Sequence, residues 1–234
     1  MIYYEDLPLD KEILKALAEL QINYVFQPIF FSNGTTIYAR EALMRPVGTT
    51  VTELIEEYRK KDQLHVLEVA TFWGAAQEYF LRGYTEKVSI NSFPNESFTD
   101  SETIAFLDYY GSDNNILIIE NLEYPEFSLE KSMQKRKISK IGNSLFALDD
   151  YGSGINDMAM VDLMRPDIVK IDRSHITNIQ DNPVEQAFCK ETIEKVHAMN
   201  SYVVAEGIET KEEFDYLVSI GVDLFQGYYL ARPS

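Results

Sequence analysis

Two adjacent aspartates, Asp149 and Asp150, follow an apolar run in the stretch LFALDDYGSG, and a glycine-rich turn comes directly after them. Neighbouring carboxylates repel each other, and burying a carboxylate without a partner is costly, so the pair needs a positive group close by. Two divalent cations meet this need, because one carboxylate can bridge both ions while its neighbour binds the second. The stretch therefore indicates a metal site.

Other apolar runs along the chain also end in a polar side chain. These are Asn91 after VSI, Glu120 after ILII, Lys170 after DIV, Glu206 after VVA, Gln226 after LF, and Glu41 near the end of TIYAREAL. One such residue alone is usually a turn former, a helix cap or a solvated charge. Because the carboxyl ends of parallel barrel strands lie on one face, the recurrence predicts that these side chains meet at one rim.

Five carboxylates and one asparagine at a single rim are typical of a site for Mg²⁺ or Mn²⁺, which prefer oxygen ligands. Two such ions lower the pKa of bound water and stabilise the transition state of phosphodiester cleavage. Lys170, among these acids, could steer a metal-bound water or neutralise developing phosphoryl charge. Competing chemistries fit less well, because no G-x-S-x-G motif occurs and a retaining glycosidase needs only two of the carboxylates.

The elements that must position these residues alternate between short apolar runs and longer helix-period segments, such as the amphipathic segment 52–80. Eight runs of near-continuous apolar character predict an α/β fold, a closed (β/α)8 TIM-type barrel. Only FSNGTT joins the first two runs, and its Asn-Gly pair is a hairpin signal, so one strand is predicted to be antiparallel. We predict one domain over residues 1–234, with an N-terminal helix over about 10–21 and the barrel over about 24–233.

The composition excludes several classes of partner. The chain has 234 residues, with 38 acidic and 21 basic side chains and a net charge of −17, so it lacks the basic surface that a nucleic acid polymer or an anionic membrane needs. Its one cysteine, Cys189, excludes an internal disulfide. No run approaches the ~20 apolar residues of a membrane span, and the start does not resemble a signal peptide. We therefore expect a cytoplasmic protein that contacts neither membrane nor nucleic acid polymer.

Seven motifs, in order from about Tyr24 to Pro233, resemble one known family. They are REALMRP, SIN, IIENLE, LDDYGSG, VKID, AEGIE and QGYYLARP. Together they resemble the EAL domain family of phosphodiesterases specific for cyclic di-GMP, a bacterial second messenger. The resemblance implies a (β/α)8 barrel with one antiparallel strand and hydrolysis of cyclic di-GMP to linear pGpG. It also implies two divalent cations, Mg²⁺ or Mn²⁺, and a homodimer.

The resemblance further implies roles for individual residues. One metal would be held by Glu41, Asn91, Glu120 and Asp149, and the other by Asp149, Asp150 and Glu206. The catalytic group would consist of Glu41, Lys170, Glu206 and Gln226. The residues in contact with substrate would be Gln27, Leu43, Arg45 and Asp172. Lys170 would orient the attacking water, Gln226 would assist at the water or phosphate, and Arg45 would pair with a phosphate. Glu123 would brace the loop that carries the aspartate pair.

The chain departs from the usual family pattern at several positions, which leaves other functions open. Pro46 replaces an aromatic residue near the substrate, the middle pair of ENLE is changed, and Tyr151 and Ser153 replace Phe and Thr. One alternative function is a module that binds cyclic di-GMP without cleaving it. Another is a barrel enzyme that acts on a different phosphate ester or an enolate. Every predicted metal-ligand position is filled, which favours the phosphodiesterase.

Overall fold

The computed structural model describes residues 7–110, 116–123 and 127–234. Within these ranges eight strands close into a barrel in chain order, with eight α-helices around it. The strands are β1 Ile22–Phe31, β2 Ile37–Pro46, β3 Lys87–Ser92, β4 Leu117–Asn121, β5 Leu145–Tyr151, β6 Ile168–Ile171, β7 Tyr202–Ala205 and β8 Leu224–Phe225. The helices are α1 Lys11–Glu19, α2 Val51–Lys60, α3 Leu64–Leu81, α4 Asp100–Tyr110, α5 Leu129–Ile141, α6 Met158–Met164, α7 Pro183–His197 and α8 Lys211–Ser219. The predicted (β/α)8 barrel is confirmed.

Strand β1 runs against all the others. It pairs antiparallel with β2 on one side and with β8 on the other, whereas the remaining neighbours pair in parallel. In the turn between β1 and β2 the Asn33 side chain accepts hydrogen bonds from the N–H groups of Thr35 and Thr36, at 3.1 and 2.9 Å. Gly34 has φ +66°, which a glycine adopts without strain. The hairpin signal therefore predicted the one antiparallel strand correctly.

An apolar layer fills the inside of the barrel. Seven of the eight described strands contribute one residue each to it: Ile29, Ala39, Ile118, Ala147, Ile168, Val204 and Leu224. Because side chains alternate between the two faces of a strand, the next inward-facing residue lies two positions further along each strand. The apolar layer thus supports a second layer toward the carboxyl ends of the parallel strands.

The amphipathic segment predicted over residues 52–80 is two helices of different character. The chain turns between α2 and α3, where Asp62 has φ +55°. Helix α3 is buried along most of its length, including Trp73 and Tyr79, because it packs between the barrel and α1. A helix covered on both sides is apolar nearly all round, so the prediction was wrong for α3.

Helix α1 corresponds to the N-terminal helix predicted over 10–21. The Asp10 side chain caps it by accepting a hydrogen bond from the N–H of Glu12. None of the helices in the described ranges is long and apolar enough to cross a membrane. The single domain predicted over 1–234 includes residues outside those ranges and stays a prediction.

Candidate metal and active site

A layer of polar side chains lies directly above the apolar layer inside the barrel. Each strand, or the residue directly after it, supplies one member: Gln27, Glu41, Asn91, Glu120, Asp149, Lys170, Glu206 and Gln226. Seven of the eight members, all except Asn91, lie two residues from a member of the apolar layer. The strand register places Gln27 beside Glu41 and Asn91 beside Glu120. The structure therefore brings these residues, which are distant in sequence, to one end of the barrel.

A bulge in β5 explains how two adjacent aspartates serve one site. Consecutive strand residues normally point to opposite faces, so Asp150 would point away from Asp149 in a regular strand. The pairing of β5 with β6 shifts between Leu148 and Tyr151, and Asp150 has φ +49°, in the left-handed region. As a result, carboxylate oxygens of Asp149, Asp150 and Glu206 all lie within 4.8 Å of one another.

Lys170 is the positive group among these acids. Its side chain is 2% exposed, and its Nζ lies 2.7 Å from Glu206 and 3.0 Å from Asp149. Glu120 also pairs with this ammonium, and Glu41 lies 3.7 Å away. Burial works to lower the pKa of Lys170, but the four carboxylates outweigh it and hold this pKa well above its ordinary value. One ammonium cannot balance the negative charge, so protons or cations must offset the rest.

Burial raises the pKa of three of the carboxyl groups. The pKa of Glu120 lies well above its ordinary value, and burial together with the charge of Asp149 raises the pKa of Asp150 to about 7. Burial likewise raises the pKa of Glu206 to about 8, against the opposing effect of Lys170. These groups therefore hold protons near neutral pH, and any cation that bound there would have to displace them.

The oxygen atoms at this rim fit a hard divalent cation. Asp149, Asp150 and Glu206 are placed to share one ion. On the other side of Asp149, the Glu41 carboxylate accepts hydrogen bonds from Asn91 Nδ2 at 3.1 Å and from Gln226 Nε2 at 2.6 Å. The buried amide oxygens of Asn91 and Gln226 have no hydrogen-bond partner within the described ranges. Carboxylate and amide oxygens are the ligands that Mg²⁺ and Mn²⁺ prefer.

Three of the residues predicted to contact substrate line cavities beside the rim. Gln27 lines a cavity of about 330 Å³ that also reaches Glu41 and Glu206, and its Nε2 donates to the carbonyl of Ala231 at 3.3 Å. Leu43 and Arg45 line a second cavity, of about 270 Å³, that extends to Asn91. Arg45 is exposed, and its guanidinium donates to the neighbouring carbonyl of Met44 at 2.9 Å.

Asp172, the fourth predicted substrate contact, lines neither of these cavities. It caps the short 3-10 helix that follows β6 and accepts a hydrogen bond from the N–H of Ser174 at 2.9 Å. Burial works to raise the pKa of Asp172, and the bonds from Ser174 outweigh it, so this pKa lies below its ordinary value.

The sequence analysis missed Arg173, the neighbour of Asp172, which lines the 330 Å³ cavity and pairs with Glu209 at 2.8 Å. The available signal was its place in VKIDR, three positions after the inward-facing Lys170.

The loop after β5 is held by two side chains. Glu123 accepts hydrogen bonds from Ser153 Oγ at 2.9 Å and from the N–H of Ile155. Gly154 permits this approach, because a Cβ there would lie 1.8 Å from a Glu123 oxygen. Asn156 is 1% exposed and donates from Nδ2 to the Asp149 carbonyl at 2.7 Å. Sequence reasoning missed Asn156, since a polar residue just before a helix reads as a cap.

Comparison with known proteins identifies the family. The EAL domain family matches residues 10–233 of this chain, which is nearly its whole length. The chain belongs to the EAL domain family. The eight-stranded barrel with its antiparallel strand and acidic rim is therefore the EAL domain of this protein.

Relatives of this EAL domain include proteins named as cyclic di-GMP phosphodiesterases. It is 28% identical over 138 residues to the probable cyclic di-GMP phosphodiesterase PdeG of Escherichia coli K12, covering 58% of this chain and 27% of that protein. It is 24% identical over 233 residues to the blue light- and temperature-regulated antirepressor BluF of the same organism, covering 96% of this chain and 58% of BluF. The chain thus spans less than two thirds of the length of both relatives.

A solved structure of a standalone versatile EAL protein from Vibrio cholerae O395, in its c-di-GMP bound form, has the same fold. It superposes with a TM-score of 0.82 at 26% identity, over 92% of this chain and 93% of that one.

Proposed function

We propose that this EAL domain hydrolyses cyclic di-GMP to linear pGpG with two divalent cations, Mg²⁺ or Mn²⁺. The observation that carries the proposal is the rim itself, where Lys170 lies within ion-pair distance of four carboxylates and Asp150 joins two of them, Asp149 and Glu206, in one oxygen cluster. The names of the relatives agree with it. When bound, the cations would lower the pKa of water and stabilise negative charge in the transition state.

The proposed ligands divide at Asp149, which is shared. One cation takes Glu41, Asn91, Glu120 and Asp149, and the other takes Asp149, Asp150 and Glu206. The bulge at Asp150 supports this division, because it turns both aspartates toward the same space. The unpartnered oxygen of Asn91 supports the first site in the same way.

Lys170 and Gln226 are the proposed groups that act on water and phosphate. The ammonium of Lys170 lies in the centre of the acids, so it can orient an attacking water and oppose charge that develops on the phosphoryl oxygens. Gln226 is held by Glu41 through its Nε2, which leaves its amide oxygen available to accept a hydrogen bond from water. Glu41 and Glu206 act as ligands and fix these two side chains.

The two cavities beside the rim are the proposed binding space for the substrate. Arg45 offers a guanidinium fork for a phosphate, and its contact with a backbone carbonyl is exchangeable because the side chain is exposed. Gln27 lines the 330 Å³ cavity and Leu43 lines the 270 Å³ cavity, and both are proposed to contact the substrate. Asp172 lies outside both cavities, at the start of the 3-10 helix, and it is the proposed substrate contact next to Asp150, whose pKa its charge helps to raise.

Glu123 is the proposed brace of the loop that carries Asp149 and Asp150. Its hydrogen bonds with Ser153 and Ile155 would hold the loop in a single conformation. The proposal includes a homodimer and a cytoplasmic location. Sedimentation of the purified chain with and without cyclic di-GMP tests the dimer.

A chromatographic assay tests the enzyme. Purified protein is incubated with cyclic di-GMP and Mg²⁺, Mn²⁺ or Ca²⁺ in parallel, and linear pGpG is the expected product with the first two. Glu41→Gln and Asp149→Asn should abolish product, whereas Glu194→Gln, at an exposed glutamate on α7, should not. Substrate that stays intact with every metal would refute the enzyme.

The second candidate function is a module that binds cyclic di-GMP without cleaving it. The observation in its favour is the match to the antirepressor BluF along 96% of this chain. Calorimetry in EDTA distinguishes the two, because a receptor should bind the intact ligand tightly without metal. The complete set of oxygen ligands at the rim favours the enzyme.

A further inference from the structure

Two buried charges lie behind the polar rim, on the outer side of β3 and β4. Glu68 of α3 is 1% exposed and Lys135 of α5 is 3% exposed. Their surroundings are largely apolar and include Phe72, Phe98 and Phe106. Burying charge in such a place is costly, so the contacts of these two side chains have to be strong ones.

The Glu68 carboxylate holds the end of β3. It accepts hydrogen bonds from Ser92 Oγ and from the N–H of Phe93, the latter at 3.0 Å. Burial raises the pKa of Glu68, against the opposing charge of Lys135 and these two bonds. Both donors come directly after Asn91, so the carboxylate fixes the chain next to a proposed metal ligand.

The Lys135 ammonium ties β3 to β4. It donates to the carbonyl of Phe93 and to Asn121 Oδ1, the latter at 3.1 Å. Asn121 is 1% exposed and follows Glu120 directly, and Ser132 Oγ also lies 3.4 Å from its Oδ1. One side chain from α5 thus contacts the ends of two neighbouring strands.

The alternation of strand residues connects these outer contacts to the rim. Asn91 and Glu120 are paired in register and face inward, so Ser92 and Asn121, also paired, face outward. Rotation or slippage of either strand end would move the inward residue together with the outward one. Groups that orient metal ligands in this way typically change metal affinity about 10–100-fold when they are removed.

We propose that Glu68, Lys135 and Asn121 form a positioning network that fixes Asn91 and Glu120 for one divalent cation. The inference rests on the proposed function, since it assigns the network to one of its two metal sites. The network has no contact with Asp150 or Glu206, which hold the other ion in that proposal. Its loss should therefore weaken one metal site and spare the other.

Direct cation binding tests the network without any substrate. Isothermal titration with Mn²⁺ is done on the wild type, on Lys135→Met and on Asn121→Ala, with Lys140→Met, an exposed lysine of the same helix, as the matched control. We expect two binding events in the wild type and in the control. In the other two variants one event should weaken by about tenfold or more, and the second should keep its affinity.

The outcomes separate this inference from the proposed function. Should Lys135→Met fail to fold, Asn121→Ala alone decides, because it removes only the contacts to β4. Wild-type affinity at both sites in the variants, or equal weakening at both, overturns the network and leaves the phosphodiesterase intact. If the wild type binds two cations but never cleaves cyclic di-GMP, the proposed phosphodiesterase activity is overturned. The titrations of the two variants still decide whether the network exists.

Discussion

Binding of Mg²⁺ should stabilise the folded chain strongly at alkaline pH and hardly at all at acidic pH. Two of the proposed ligands, Asp150 and Glu206, have a pKa of about 7 and about 8 because they are buried among other acids. A cation must displace their protons at low pH. The affinity for Mg²⁺ should therefore rise with pH and level off above about pH 8.

The size of the effect follows from these two values. Keeping Glu206 and Asp150 ionised at about pH 6 costs about 4 kcal/mol, from about 1.4 kcal/mol for each pH unit below each pKa. Affinity at about pH 6 should thus be about a thousandfold weaker than at about pH 8.5. Mg²⁺ at about 100 times its alkaline Kd contributes about 2.7 kcal/mol, which raises Tm by roughly 5–11 °C in a chain of this size. The same concentration at about pH 6 should leave Tm nearly unchanged.

The metal-free protein should show the opposite trend. A carboxyl group whose pKa is raised by folding stabilises the fold only while it is protonated, so Tm in EDTA should fall as pH rises through about 7 to 8. Scanning calorimetry in EDTA and in Mg²⁺, at both pH values, measures the two trends. The double variant Asp150→Asn with Glu206→Gln should reduce both trends, and what remains should come from the raised pKa of Glu120 and Glu68. An equal Mg²⁺ shift at both pH values, or a Tm in EDTA that rises with pH, would refute the reasoning.

Three further predictions concern other residues of the site. Lys170→Met leaves buried carboxylates without their cation, so the free energy of unfolding in EDTA at about pH 8.5 should fall by about 3–5 kcal/mol in urea titrations, and by less at about pH 5. Gly154→Ala places a Cβ against Glu123, so turnover should fall about a hundredfold, and adding Glu123→Ala should cause no further loss. Additive losses would show that the two residues act separately. Arg45→Lys should raise KM for cyclic di-GMP about tenfold at nearly constant kcat, because lysine cannot form the two-pronged contact; an unchanged KM would remove Arg45 from the substrate site.

Helix packing and local burial were the least predictable parts of the fold. Residues 52–80 read as amphipathic, yet α3 is covered on both sides, and no local pattern tells which side α1 will occupy. The sequence analysis did not predict the burial of Glu68 and Lys135 for the same reason. Their burial depends on strands and helices that lie far away in the sequence.

The strand ends show what the sequence determined by itself. Period-two alternation and the parallel direction of seven strands place a polar residue after each apolar run on one face of the barrel, so Asn91, Glu120 and Glu206 could be grouped before any coordinates. The Asn-Gly pair likewise predicted the antiparallel strand, because Asn33 and Gly34 close the turn through contacts within a few residues of the chain.

The tertiary structure alone decided how these side chains are aimed. Asp150 turns toward Asp149 through a bulge that depends on the pairing of β5 with β6, and a strand read in isolation would send it to the opposite face. Lys170 meets four acids, and Asn156 reaches the Asp149 carbonyl, only because the barrel closes. Composition and periodicity therefore select the chemistry, while distances of a few ångströms between remote residues are set by the closed sheet and its packing.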